Sequence, residues 1–430
     1  MLALKQGDMG QRRWQTERPQ AVKEPTMPSL GSKLLATVLT GACLAGPGGP
    51  ALAQPNSTPL RIGLIFPLTG GSSDMGNSAR IGAQVAIDEM NEVGGFLGRP
   101  FELVVRDDQA KPDVGLKAAE ELVLKEHVVA TVGFCNTGVA AKALDVFQAN
   151  KAILIVPCAT GTILTSKYPP AESFIFRNAA RDALQTQFLA GELAKRGLAH
   201  PALLVDKSGY GDAGLKDLDA ALAKAGIRPA IVIRFDVGVT SLQGEIEQAR
   251  AAGADSLIGW TVGPESGVIA ASRAAARWHV PEFGPWGLSH RSAFESSHGA
   301  VDGAMSVQTV LPNIYLERNI SFRLHYKKLS QEKLIGSMMS AAQAYDAVHL
   351  LVRAMFECKG DFSGPAIKHA LENLPRRYAG VVTSYEKPFS ATDHDAISAN
   401  MLWLGVWRNG EREYFYVDDL KRAAFIRYKQ

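Results

Sequence analysis

Leu60-Arg-Ile-Gly-Leu-Ile-Phe66 is the stretch that decides the fold, because it is a short apolar run that ends in the turn Pro-Leu-Thr-Gly70. After this turn, small apolar residues recur at helical spacing through Gly76–Glu92 and give that segment one apolar face. A short apolar strand followed by a longer amphipathic helix is the unit from which parallel sheets are built. The stretch therefore predicts an α/β protein.

The same unit repeats along the chain. The candidate strands are Arg61–Phe66, Phe101–Arg106, Val128–Gly133, Ala152–Pro157, Ala202–Asp206, Ala230–Phe235 and Ser256–Thr261. The pattern forms two runs, at about residues 60–177 and 182–303, and a helix over Met338–Cys358 and a strand over Met401–Trp407 follow. We therefore predict two doubly wound parallel-sheet lobes that the late elements complete, so that the backbone crosses between lobes more than once.

The composition excludes several classes of protein. Of the 430 residues, 46% are hydrophobic and 21% are charged, which is enough apolar material for a large core. The first 53 residues carry six basic and three acidic side chains, so the remainder has 40 of each. A neutral body lacks the basic footprint of nucleic-acid binding. Four cysteines are too few for a disulfide scaffold and lack the paired spacing of a zinc site.

The beginning of the chain has the pattern of an export signal. A basic residue precedes the apolar run Leu34–Ala45, and residues 51–53 match an A-x-A cleavage site. The run is too short to span a bilayer, and a buried helix is the alternative interpretation. We predict that residues 1–53 are an export signal with a non-native extension before Met27, so that the mature protein is periplasmic. Cys43 matches a lipoprotein acylation site only loosely, and lipid anchoring there is the alternative.

Loops that follow the candidate strands are the places to search for a ligand site, because ligands of open α/β sheets bind at the carboxyl ends of strands. Several of these loops open a helix, where free N–H groups and the helix dipole favour an anion. Thr137 and Thr160 would each add a hydroxyl donor, and Tyr210 would add a phenol. The alternative is that they are ordinary N-caps and turn formers. The role of Asp107-Asp108 is open in the same way: the alternatives are a pair of metal ligands, a general base and a helix cap.

Motifs of catalysis are missing from the sequence. There is no G-x-G-x-x-G after a strand, no Walker lysine loop, no G-x-S-x-G elbow and no H-E-x-x-H. His279, His290, His298 and His394 are scattered rather than clustered. We therefore expect no catalytic residues, no metal and no cofactor, and we keep an exported hydrolase as the alternative.

A set of motifs carries a resemblance to a known family. These are Ile62-Gly-Leu-Ile-Phe-Pro-Leu-Thr-Gly70, Asn91-Glu-Val-Gly-Gly95, Val105-Arg-Asp-Asp108, Val156-Pro-Cys-Ala-Thr160, Asp206-Lys-Ser-Gly-Tyr-Gly211 and Phe389-Ser-Ala-Thr-Asp-His394. In this order and with these gaps, the sequence resembles the exported solute-binding proteins of ABC importers, in the branch typified by the leucine/isoleucine/valine-binding protein. The resemblance covers about residues 60–407, which is most of the mature chain.

The resemblance implies the type I periplasmic binding protein fold, in which two α/β lobes are joined by a three-stranded hinge and close on a ligand. It assigns residues 54–178 and 309–381 to lobe 1 and residues 182–306 and 385–430 to lobe 2. The crossings are then expected near residues 178–181, 306–309 and 382–385.

The resemblance also implies positions for a ligand. In relatives that bind amino acids, lobe 1 residues hold the ligand carboxylate, and Thr137, Cys158, Ala159 and Thr160 stand at the matching positions. Tyr210 matches a lobe 2 tyrosine that closes over the ligand. Asp74 and Met75, just before the predicted helix Gly76–Glu92, are further candidate ligand contacts.

The sequence departs from the family at the position that meets the ligand ammonium. Relatives have a glutamate after a Gly-Pro pair, whereas Trp286 follows Gly284-Pro285 here. An unpaired buried ammonium would cost several kcal/mol. Trp286 would instead give an aromatic wall for a carboxylate with an apolar body. The alternative is that Trp286 belongs to the core and that Asp74, Asp108 or Glu265 meets the amine.

The predicted function is capture and delivery of a small carboxylate ligand to an ABC permease in the inner membrane. The ligand is a branched-chain amino acid or a related small carboxylate, and the alternatives are an aromatic or other organic acid, an amide, or a ligand sensor of the same fold. We expect a monomer. Cys135 and Cys158 follow two strands of the same lobe, and the sequence leaves open whether they are bonded.

Overall fold

A computed structural model describes residues 58–332, 334–425 and 428–429. These residues belong to one compact unit. The predicted export signal and Cys43 lie outside the described residues. Within them, no helix combines the length and apolar character needed to cross a membrane.

The strands and helices alternate as the sequence predicts. The strands are β1 (Leu60–Phe66), β2 (Phe101–Asp107), β3 (Ala130–Gly133), β4 (Leu154–Val156), β5 (Ile175–Arg177), β6 (Pro201–Asp206), β7 (Ile231–Phe235), β8 (Ser256–Trp260), β9 (Glu282–Gly284), β10 (Met305–Gln308), β11 (Tyr378–Ala379), β12 (Ser384–Tyr385), β13 (Trp403–Arg408) and β14 (Glu411–Tyr414). The α-helices are α1 (Ser73–Glu92), α2 (Pro112–Glu120), α3 (Thr137–Ala149), α4 (Ile163–Ser166), α5 (Asp182–Lys195), α6 (Gly209–Lys224), α7 (Gln243–Ala251), α8 (Glu265–Ala275), α9 (Arg291–Ser296), α10 (Glu317–Ser330), α11 (Met338–Glu357), α12 (Gly364–Glu372) and α13 (Val417–Arg422).

The first sheet has the strand order β2-β1-β3-β4-β5, and all its pairs are parallel. Strand β1 lies between β2 and β3 and is almost wholly buried, because helices cover both faces of the sheet. Helix α11 packs against α1, and a Cβ on Gly82 would meet the backbone oxygen of Ala341 at 2.1 Å. The absent side chain at this glycine lets the two helices approach closely. These elements form lobe 1.

The second sheet has the order β14-β13-β10-β9-β8-β6-β7. Its five strands from β10 to β7 are parallel, whereas β13 is antiparallel to β10 and β14 is antiparallel to β13. The sheet is therefore mixed at one edge, where the prediction had only parallel strands. The reason is the connection: the chain reaches β13 from lobe 1 and turns back at residues 409–410 in a hairpin. These elements form lobe 2.

The chain passes between the sheets three times within the described residues: after β5, after β10, and again before β13. The sequence predicts the last passage near residues 382–385. The N–H of Arg177 donates to the carbonyl of His394, and the N–H of Ala396 donates to the carbonyl of Arg177. Residues 394–396 thus run along the edge of the first sheet. We propose that lobe 1 extends to about residue 396, beyond its predicted end at residue 381.

Candidate functional site

The two lobes touch at their facing loops. A Cβ on Gly209, the first residue of α6, would lie 3.2 Å from the Cα of Gly138 in α3. The Thr162 hydroxyl donates to Asp217 Oδ2 at 2.7 Å, and the Ser292 hydroxyl donates to Asp74 Oδ2 at 2.7 Å. Since each contact joins a lobe 1 element to a lobe 2 element, the structure has the cleft closed.

A strained residue shapes the lobe 1 side of this cleft. Phe134 follows β3 with φ of 71°, in the left-handed region that bulky side chains rarely adopt, and its ring is fully buried. The turn leads directly into α3, whose first residue is Thr137. The first N–H groups of a helix have no partner within it, so the start of α3 is suited to an anion. The hydroxyl oxygen of Thr137 accepts from the N–H of Gly161 at 3.1 Å, which leaves its own proton free to donate.

Buried Arg177 holds the loop that carries Thr160. Its guanidinium donates to the carbonyl oxygens of Thr160 at 2.9 Å and Gly161 at 2.7 Å, and it forms an ion pair of 2.6 Å with Asp395. Neither member of this pair is exposed to any significant degree. Positioning of the Thr160 loop therefore depends on a charge pair in the interior of lobe 1.

Three buried polar groups lie close together in the closed cleft. The Thr160 hydroxyl, the Tyr210 hydroxyl and Asp182 Oδ2 have no hydrogen bond of good geometry to any described residue. Thr160 nevertheless lies within hydrogen-bonding reach of both ionisable groups and lowers the pKa of each, and the Asp182 charge raises the pKa of Tyr210. Buried polar atoms are almost always paired, and an orphan costs about 1–3 kcal/mol. We refer to these three groups as the orphan cluster.

Burial controls the charge of the orphan cluster. It raises the pKa of Asp182 to about 7, with a further rise from Asp217 and opposing contributions from Thr160 and Arg177. Burial, followed by the nearby Asp182 charge, also raises the pKa of Tyr210 well above its usual range, so the phenol stays neutral. Near neutral pH, Asp182 is therefore poised to ionise when a cation approaches.

Gln185 connects Asp182 to Trp286. Its amide nitrogen donates to Asp182 Oδ1 at 3.1 Å, and its amide oxygen accepts from the N–H of Trp286 at 3.1 Å. Trp286 is 5% exposed and lines a small cavity beside Thr160, with Met339 on another wall. The cavity adjoins the orphan cluster, and Trp286 forms its aromatic wall.

Other predicted residues have partners elsewhere. Asp74 accepts from the Ser292 hydroxyl, and Met75 is fully buried in the core. Glu265 accepts from the N–H of Gly238 at 2.8 Å. We therefore leave both carboxylates out of the proposed ammonium site.

Three further predicted positions lie in lobe 1. Asp108 is fully buried and accepts from the N–H of Ala110, with a pKa that burial raises to about 7. Cys158 and Ala159 are buried between β4 and Thr160. Cys135 and Cys158 are free thiols in the structure. Among the described residues, no group of three or more His, Cys, Asp or Glu side chains is arranged to hold a metal ion.

Sequence reasoning missed Asp182 and Gln185. Asp182 is the first residue of α5, where an acidic side chain usually complements the helix dipole. The sequence offered one signal for Asp182: it comes just after a strand of the first sheet and a predicted lobe crossing. Residues at such a crossing are placed to contact a ligand that lies between the lobes.

Comparison with known proteins shows the family of the chain. The family model described as "Periplasmic binding protein" matches residues 59–411. The chain belongs to this family. The resemblance to the leucine/isoleucine/valine branch is confirmed as well: a Leu/Ile/Val-binding protein homolog 3 from Brucella melitensis is 28% identical over 59% of this chain and 67% of its own length.

Solved structures of low sequence identity share the fold of this periplasmic binding protein. LivJ from Streptococcus pneumoniae, a branched-chain amino acid transporter substrate-binding protein in complex with isoleucine, is 22% identical, with a TM-score of 0.72 over 83% of this chain and 98% of that one. A solute-binding protein of an ABC transporter from R. palustris, in complex with benzoate, is 18% identical, with a TM-score of 0.72 over 83% of this chain and 95% of that one. The two-lobed α/β fold is therefore confirmed.

Proposed function

We propose that this periplasmic binding protein is the substrate-binding component of an ABC importer and that it captures a small α-amino acid, with a branched-chain amino acid as the leading candidate. The family match and the Leu/Ile/Val-binding relative support the class of function. The orphan cluster is the observation that carries the ligand proposal, because it joins a free hydroxyl, a neutral phenol and an ionisable carboxyl in one buried place.

The charges of an amino acid match the two ends of this site. Its carboxylate would lie at the start of α3, where backbone N–H groups and the Thr137 hydroxyl donate. Its ammonium would lie at Asp182, which ionises as the cation arrives. The ammonium partner is then Asp182, in place of the family glutamate at the position of Trp286.

Closure follows from contacts with both lobes. A ligand between Thr160 and Tyr210 touches lobe 1 and lobe 2 together, so it binds the closed state better than the open one. Closed lobes would then present a joined surface to a membrane permease. The protein would act in the periplasm as a monomer, and its role would be capture rather than catalysis.

Binding of an aromatic acid is the second candidate. Trp286 and Met339 line the cavity beside Thr160, and a similar solved structure is in complex with benzoate. The cavity, with a volume of about 10 Å³, would have to widen to hold a ring. A benzoate-like acid has no ammonium, so its binding would leave Asp182 Oδ2 without a partner. The orphan carboxyl therefore favours the amino acid.

A melting-temperature screen tests the proposal, because a ligand that binds only the folded state raises the melting temperature. Leucine, isoleucine and valine should each stabilise the purified protein, and benzoate should stabilise it less. The double variant Thr137→Ala and Thr160→Ala should lose at least about tenfold in affinity by calorimetry, since each hydrogen bond to a charged group contributes about 1.5–3 kcal/mol. Unchanged affinity would contradict the carboxylate clamp, and stabilisation by benzoate alone would favour the second candidate.

A further inference from the structure

Two thiols lie side by side beneath the proposed ligand site. Strands β3 and β4 are parallel neighbours, and the contact continues past their ends, where the N–H of Ala159 donates to the carbonyl of Phe134 at 3.1 Å. Cys135 and Cys158 are the adjacent residues on these two loops. The thiols are close enough that Cys158 raises the pKa of Cys135.

The pair differs from the other described cysteine. Cys135 is 3% exposed and Cys158 is 0% exposed, whereas Cys358 is partly exposed at the end of α11 and its thiol lies near the carbonyl of Ala354. The backbone hydrogen bond between Ala159 and Phe134 holds the two cysteine loops together, which is the arrangement that a disulfide between neighbouring loops requires. Cys358 has no such neighbour among the described cysteines.

We propose that Cys135 and Cys158 are a redox-modifiable pair that a small disulfide oxidant converts into an intramolecular disulfide, and that ligand-induced closure protects the pair. In this exchange one thiol, as thiolate, attacks the oxidant and expels its thiol, and the second thiol then attacks the mixed disulfide and expels the other. The protein loses two electrons and two protons, and the oxidant becomes two thiols.

Protection follows from where the thiols lie. Burial is the main reason that the pKa of Cys135 stands well above its usual range, and the nearby charges of Asp108 and Asp74 add to the rise. A buried thiol that stays protonated reacts slowly. Gly138, three residues after Cys135, lies against Gly209 of lobe 2 in the closed structure. Opening of the cleft separates these two glycines, and we expect this motion to admit the oxidant.

A bond between these thiols would also act on the ligand site. Cys135 precedes Thr137 by two residues, and Cys158 precedes Thr160 by two. A disulfide would therefore fix the spacing of the two loops that carry the proposed carboxylate contacts. The claim that ligand protects the thiols rests on the proposed function, whereas the claim that the two thiols form a disulfide does not.

The test is oxidation of the purified protein by oxidised glutathione, followed by mass-spectrometric mapping of cysteine peptides in time. A Cys135–Cys158 cross-link should form in the wild type and in Cys358→Ser, and it should be missing in Cys135→Ser and Cys158→Ser. If the cross-link does not form in the folded wild type, the inference is overturned whether or not the protein binds the proposed ligand. A saturating ligand identified by melting temperature should slow cross-linking about tenfold or more, because oxidation then needs a rare opening. Equal rates with and without that ligand would refute protection while leaving the binding function intact.

Discussion

The affinity for an amino acid should rise with pH through the titration of Asp182. Burial raises the pKa of this group to about 7 in the ligand-free site, so its carboxyl is mostly protonated at pH 6 and mostly ionised at pH 8. An ammonium ligand requires the ionised form, and its binding therefore releases a proton at pH 6. At higher pH a smaller fraction of the Asp182 carboxyls carries a proton that the ligand must displace, so the affinity for the amino acid increases.

The size of this effect follows from the same value. With a pKa of about 7, the ionised fraction rises about tenfold between pH 6 and pH 8, which corresponds to about 1.4 kcal/mol. Titration calorimetry at both pH values, in buffers of different ionisation enthalpy, measures the affinity and the proton release together.

A matched variant separates Asp182 from the other buried carboxyls. Asp182→Asn retains the size of the side chain but cannot ionise, so it should bind more weakly at pH 8 and lose most of the pH dependence. Asp108, whose pKa is also raised to about 7, is unchanged in this variant. A flat profile in the wild type, or an affinity that falls as pH rises, would refute the ammonium role of Asp182.

Two further variants test closure and the support of the site. Gly209→Val should hold the lobes apart, because its Cβ alone would lie 3.2 Å from the Cα of Gly138. Ligand affinity, measured by calorimetry, should therefore fall about tenfold or more. Gly244→Val, near the start of α7, is the control: no neighbouring element lies within 4 Å of the added Cβ, so this variant should bind the ligand normally. Arg177→Met should cost about 3 kcal/mol in urea unfolding because it leaves the buried Asp395 carboxylate with only the longer ion pair to Arg181 and the Thr165 hydroxyl. Arg181→Met removes an ion pair of 3.5 Å to the same carboxylate from a 41% exposed side chain and should cost about 1 kcal/mol or less, so equal costs would contradict the role assigned to Arg177.

Strands buried on both faces were the most predictable part of the fold. The predicted strand Arg61–Phe66 differs from β1 by one residue, because a short continuous apolar run is typical of a strand that helices cover on both sides. The short strand β9 was not predicted, since it has three residues and includes Glu282, whose buried carboxylate pairs with Arg273 at 2.9 Å. The antiparallel direction of β13 also lay beyond the sequence, because apolar pattern carries no information on which neighbour a strand joins.

The candidate site was predictable only in part. Thr160, Tyr210 and Trp286 follow strands or open helices, and they lie near one another in the closed cleft. The sequence did not identify Asp182 as a site residue. Its proposed role depends on its burial and on its proximity to Thr160 of the other lobe, and the sequence at the start of one helix shows neither. The acidic candidates Asp74 and Glu265 have the same local signal, but their carboxylates accept from Ser292 and Gly238.

A crystal structure of the protein with leucine, or with whichever amino acid raises the melting temperature most, tests the central claim most directly. We predict that the ligand carboxylate lies at the start of α3 beside Thr137 and that the ammonium lies within hydrogen-bond distance of Asp182, with Tyr210 closing over it. A ligand bound away from the orphan cluster, or one whose ammonium contacts another acidic side chain while Asp182 stays unpaired, would contradict the proposed site.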